Sequence, residues 1–191
     1  MSGNGHGPPK TPDEWCTYLT EYSNWYLDGA GPNRLSMLNE QQISTRWLGC
    51  EPASEQAIAA TEERLGVALP PSLRGFLLTS NGWATAAEWV DALSACEEIS
   101  WFRDTHEEFL QPLDDDDEDE EEWEVGIICE RSLVIATGED LFLLDTGAVS
   151  ADGEYNAYLL EMKYGELLGP CASFSELFAK GREQLQYGSE S

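Results

Sequence analysis

The double proline in Leu69-Pro70-Pro71-Ser72 constrains this chain more than any other feature. Proline lacks a backbone donor and restricts the residue before it, so no helix can run through this point. Both flanks are nevertheless helical in pattern. Upstream, Ile58, Thr61 and Leu65 fall on one face, and downstream Leu73, Phe76 and Leu77 do the same. Ser54 is a candidate N-cap, Pro52 suits a first helical turn, and Gly66 can take the left-handed stop. Asn81-Gly82 ends the second helix, because both residues tolerate positive φ. The stretch Trp47 to Trp83 therefore predicts two short helices with a proline hinge. It is scaffold and carries no chemistry.

The same residues carry a family resemblance. Glu62-x-x-Leu65-Gly66-Val67-x-Leu69-Pro70-Pro71-Ser72-Leu73-x-x-Phe76-Leu77, followed by Asn81-Gly82, resembles the signature of the Smi/Knr-type, or SUKH, superfamily. Asp140-Leu-Phe-Leu-Leu-Asp145 and Ser173-Phe-Ser-Glu-Leu-Phe178 resemble that family's strand and C-terminal helix, extending the match over residues 34–185. The resemblance implies a helix pair packed on a mixed sheet. It also implies an immunity protein that neutralises a cognate toxin, as many bacterial members do. It carries over no contact residue, since members meet their toxins through surface residues that differ. Glu62 and the Leu-Pro and Asn-Gly positions are fold determinants in this light. The helix before the match and an acidic run at Asp114 depart from the common pattern.

Composition limits what such a chain can touch. Its 191 residues suit one domain with a real core. A net charge of −27 argues against nucleic acid or an anionic membrane as a direct ligand and points to a basic partner. No apolar run approaches a membrane span, and the N-terminus lacks an apolar signal region, so the expected location is the cytoplasm. Cys16, Cys50, Cys96, Cys129 and Cys171 are odd in number, scattered, and never arranged as Cys-x-x-Cys. That usage fits reduced, apolar thiols, with neither a disulfide framework nor a zinc site.

The remaining elements follow from caps and periodicity. Residues 1–10 read as a disordered leader. Thr11-Pro12-Asp13-Glu14 is a capping box that opens a helix whose Trp15, Leu19, Tyr22 and Tyr26 form a stripe for packing on the domain. Asp28 to Pro32 breaks it, closing an added unit over 11–33, and Leu35 to Leu48 reads as a further helix. The segment 85–96 reads as a helix or helical turn. Strands are expected at 99–102, 125–129, 133–137, 141–145 and 155–162, with Gly138-Glu139-Asp140 as a hairpin turn that demands antiparallel pairing. Ser173 and Glu176 open a C-terminal helix, and 187–191 form a polar tail. The fold class is α+β: a single domain over 34–186 with a mostly antiparallel, mixed sheet flanked by helices, the added N-terminal helix, and a disordered acidic insertion at 113–123.

That insertion contains Asp114, Asp115, Asp116, Asp117, Glu118, Asp119, Glu120, Glu121 and Glu122. Nine like charges repel and resist burial, so an extended loop is expected, either as plain solvated chain or as an arm that attracts a basic partner. A calcium loop would need a central Gly and alternating ligands, which are missing. Catalysis finds no foothold. His6 and His106 stand alone, His106-Glu107-Glu108 lacks the second His of a zinc pair, and no phosphate-cradling loop or nucleophile elbow appears. The chain is expected to be no enzyme and to need no cofactor or metal.

Binding is the better expectation, with Trp47 and Trp101 in the core. Trp83 beside Asn81-Gly82, Trp89 on an amphipathic stretch and Trp123 next to the acidic loop are candidates for exposed anchors, and the acidic residues 114–122 are candidates for partner contact. The function expected is stoichiometric blockade of a basic, possibly nuclease, toxin domain by a monomer or weak dimer. An interaction scaffold or regulator of the Smi/Knr type, and an acidic nucleic-acid mimic, are the alternatives.

Overall fold

The computed structural model describes residues 7–110 and 120–188, with the side chains of 120–123 and 187–188 left aside. Helix α1 (Pro12–Gly29) starts from the capping box read in the sequence, with Thr11 accepting from Glu14 N–H and the Glu14 carboxylate accepting from Thr11 N–H. Its stripe is fully used. Trp15, Leu19, Tyr22 and Tyr26 are buried, and Trp15 Nε1 donates to the Ser72 carbonyl at 2.9 Å. Trp15 and Tyr22 pack on Phe178 of the C-terminal helix, building an aromatic core with Phe76, Trp83 and Phe174.

Two short helices follow, α2 (Pro32–Leu35) and α3 (Glu40–Thr45), in place of the single helix expected over 35–48. Asn39 separates them, because its side chain caps α3 by accepting from Gln42 N–H. The proline-hinged pair is present as α4 (Glu55–Leu65) and α5 (Pro71–Leu77). Ser54 caps α4 and Gly66 closes it at φ 73°, while Pro52 lies outside the helix. The Glu62 carboxylate accepts from Leu69 N–H and from Arg74, spanning the hinge. Its placement explains why an acid sits there.

The sheet has strands β1 (Trp83–Ala87), β2 (Val90–Leu93), β3 (Ser100–Trp101), β4 (Ser132–Thr137), β5 (Leu141–Val149), β6 (Tyr155–Glu161) and β7 (Glu166–Cys171). Its order is β1-β2-β4-β5-β6-β7, with β3 also on β4, and every pairing is antiparallel. Successive residues of the central strands feed two cores on opposite faces. Leu133, Ile135, Phe142 and Leu144 join the large core under α1, α4, α5 and α8 (Phe174–Gly188). Val134, Leu141, Leu143, Tyr158 and Leu160 join a smaller one under α6 (Phe102–Thr105), a 3₁₀ turn (Glu107–Leu110) and α7 (Glu120–Glu130). Two-sided burial is why these strands are almost continuously apolar.

Several expectations are corrected. The segment 85–96 is a hairpin of β1 and β2, held by long-range pairing of Ala92 with Thr137 and Leu93 with Ala136. Residues 125–129 belong to α7, where Cys129 is buried in the smaller core; an unbroken apolar run cannot distinguish strand from helix. The strand expected at 99–102 is only Ser100–Trp101, because Phe102 turns into α6. Strand β7 was not anticipated. The disordered acidic insertion is overturned at its C-terminal end, since Glu120, Glu121 and Glu122 begin α7; Asp114, Asp115, Asp116, Asp117, Glu118 and Asp119 lie outside the described residues. The leader expectation fails for 7–10, where Pro9 is buried and Lys10 pairs with Asp152, while 1–6 lie outside the description. Helix α8 runs to Gly188, into the expected tail.

Candidate partner-binding surface

Three hairpin turns converge at one end of the sheet. The β1–β2 turn carries Glu88 and Trp89, the β4–β5 turn carries Gly138, Glu139 and Asp140, and the β6–β7 turn carries Lys163, Tyr164 and Gly165. Register places them together: Ala92 pairs with Thr137, Leu141 with Leu160, and Glu161 with Glu166. Asp140 joins all three. Its N–H donates to the Trp89 carbonyl at 2.9 Å, and its Oδ1 accepts from Met162 N–H at 3.2 Å. Gly138 permits the closeness, because a Cβ there would collide with the Trp89 carbonyl.

On this platform Trp89 is 54% exposed and Tyr164 is 69% exposed. Glu88, Asp91 and Glu139 are exposed around Trp89. Phe109 lies against Gly165, where a Cβ would sit 3.9 Å from its ring, and Leu110 packs with it in the smaller core beside Met162 and Leu167.

The cations are all engaged within the fold. Lys10, Arg46, Arg74, Arg131 and Lys180 pair with Asp152, Asp28, Glu55 and Glu62, Asp145, and Glu176 respectively. Arg34, Arg103, Lys163 and Arg182 lie over aromatic rings, and Arg64 donates to the Cys96 carbonyl. These ten are every Lys and Arg in the sequence. The buried carboxylates also have fixed duties. Asp145 accepts two bonds from Arg131 and one from Gly147 N–H, and Glu154 accepts from Ser72 N–H and Oγ at the start of α5.

The candidate anchors separate accordingly. Trp83 is corrected: at 2% exposure it is a core residue, packed against Tyr22, Trp47 and Phe178. Trp89 is at the surface. Trp123 belongs to α7, with its side chain outside the description. Trp47 and Trp101 are half-buried against the large core. His106 stacks on Phe102 with ring centroids 4.8 Å apart, and partial burial lowers its pKa. Tyr164 was missed, although an aromatic residue before Gly165, between two apolar runs, carries the signal of an exposed turn.

The family model of the SMI1 / KNR4 family (SUKH-1) matches residues 52–180, from just before α4 into α8. The chain belongs to the SMI1 / KNR4 family (SUKH-1). No curated protein matches it. The SUKH-1 match takes in all seven strands and the three converging turns. It leaves out α1, yet α1 supplies Trp15 and Tyr22 to the aromatic core, so this SUKH-1 domain is packed with its N-terminal helix as one body. Among the described residues no helix is long and apolar enough to cross a membrane.

Proposed function

We propose that this SUKH-1 domain is an immunity protein, which binds a basic toxin domain one to one and covers its working surface. Family membership supports the class of function. The observation that carries the basic partner is the net charge of −27, with each of the ten cations already in contact with a carboxylate, a ring or a carbonyl of the chain itself. An acidic excess of that size has no internal compensation and draws counter-charge from outside. A nuclease domain is a fitting target, since it must present cations to phosphates and an acidic blocker competes for them. Attraction at long range speeds encounter, and aromatic contacts slow release.

The test is to search the genes beside this one for a toxic domain and to co-express any that is found with this chain. A stable equimolar complex and restored growth of the host are expected. Failure to form a complex, with toxicity unrelieved, contradicts the proposal and favours a cellular scaffold of the same family.

A further inference from the structure

The aromatics on the three-turn platform leave more than half of their surface outside the core. Trp89 presents over half its surface to solvent while its backbone is fixed from both sides, by Asp140 N–H and by the approach of Gly138. A large rigid side chain held outward binds at low entropic cost. Elsewhere the chain shows what its aromatics accept. Arg103 lies 4.1 Å from the Trp101 ring centroid, and Arg182 lies 5.2 Å from those of both Tyr18 and Tyr22. No cation of the chain lies over Trp89; on the same platform Lys163 lies over Tyr164, 5.1 Å from its ring centroid.

We infer that the turn end of the sheet is a docking surface for an arginine-bearing face of a basic protein partner. Trp89 is the stacking anchor, and Glu88, Asp91 and Glu139 are the carboxylates that receive the guanidinium donors, while Tyr164, with Lys163 already over its ring at 5.1 Å, forms the aromatic rim beside them. This inference deepens the toxin-binding reading and rests on it for the partner's identity. Charge decides the chemistry: an anionic lipid or nucleic acid would meet uncompensated carboxylates here, whereas a guanidinium satisfies both the ring face and the acids. Arginine suits the site better than lysine, because its planar group stacks and donates in a fork.

Two measurements test it. In the first, the full chain is titrated with an arginine-rich peptide and with a lysine peptide of equal length and charge, while the tryptophan indole NMR signals are followed. Trp89→Phe assigns its signal. The Trp89 signal should shift saturably, with the arginine peptide binding more tightly, and Trp89→Ala should weaken that binding by about fivefold even at high salt. A shift of the Trp123 signal without one of Trp89, equal response to both peptides, or unchanged affinity of Trp89→Ala would overturn the inference. In the second, Trp89→Ala and Tyr164→Ala are assayed for complex formation with a toxin domain found by co-expression with this chain, after their melting temperatures are shown to be unchanged. Weakened complexes support the site. A wild-type complex that neither substitution weakens overturns the site and leaves the immunity reading standing. A specific arginine response without any toxin complex keeps the site and removes that reading.

Discussion

Asp140 holds Trp89 in place through the backbone, its N–H donating to the Trp89 carbonyl at 2.9 Å, while its carboxylate accepts from Met162 N–H. A buried residue thus fixes an exposed one. The side chain of Asp140 contributes the second bond alone, so Asp140→Ala removes the tie to the β6–β7 turn and leaves Met162 N–H without its acceptor. The expected cost is about 1–3 kcal/mol, or roughly 2–4 °C of melting temperature per kcal/mol for a chain of this size. Calorimetry on the variant checks it, and an unchanged melting temperature would show that the three turns are not coupled through this carboxylate.

Two helical glycines should respond to alanine with opposite signs. Gly126 in α7 has nothing near a new Cβ, so Gly126→Ala should stabilise by about 0.5–1 kcal/mol through helix propensity. Gly181 in α8 lies against β1, where a Cβ would collide with the Ala86 carbonyl and crowd Phe142. Gly181→Ala should destabilise by about 1–3 kcal/mol. Denaturant melts of both variants compare the signs directly.

Substituting the core face of the helix pair should unfold the domain. Phe76 is fully buried between Trp15, Phe174 and Phe178, and Leu65 lies in the same core. Phe76→Asp or Leu65→Asp places an unpaired charge there, at a cost of several kcal/mol, on the order of the total stability. Loss of the cooperative melt is the expected result for each.

How much of this was legible in the sequence depended on how local the interactions are. The caps at Thr11, Ser54, Gly66 and Ser173 were readable because each is settled within a few residues by side chain and backbone. The hairpin at 83–93 was not. Its Thr-Ala-Ala-Glu run favours a helix, but those residues pair with β2, which is itself held by β4, more than forty positions away. The Val125–Cys129 run misled in the other direction, since its apolar residues serve a helix on the smaller core. Within the candidate surface, the exposure of Trp89 was read from the sequence, while the turn signal at Tyr164-Gly165 was passed over. Trp83 was misassigned because its burial comes from Tyr22 of α1, Trp47 and Phe178 of α8, whose docking no spacing near Trp83 reveals.

The N-terminal latch has a defined pH window. A hydrogen bond from Lys10, helped by Ser150, holds the Asp152 carboxyl at about 2, below its ordinary 3.8, and the same contact raises the Lys10 ammonium. A depressed carboxyl contributes stability that is present above its unfolded value and lost as pH falls from near 3.8 through about 2. Lys10 loses its share only when pH rises through its own elevated value. NMR titration of Asp152 should give a midpoint near 2, moving up toward the ordinary range in Lys10→Ala. A midpoint already ordinary in the wild type would remove the latch.

Neutralising the acidic run tests steering apart from blockade. Amide substitutions at Asp114, Asp115, Asp116, Asp117, Glu118 and Asp119 spare α7, so the melting temperature should hold or rise slightly. Association with a basic partner should slow at low salt, with dissociation less affected, and the difference should vanish as the Debye length falls to about 3 Å at 1 M. An unchanged association rate assigns steering to the rest of the surface.

The central claim is stoichiometric blockade, and a titration of residual toxin activity against added protein reads it most directly. With toxin held well above the dissociation constant, activity should fall in a straight line and reach zero at one molar equivalent. The toxin should regain activity once the complex is dissociated. Inactivation by far less than one equivalent would reveal a catalytic process, and a line that never reaches zero would show binding away from the toxin's working surface.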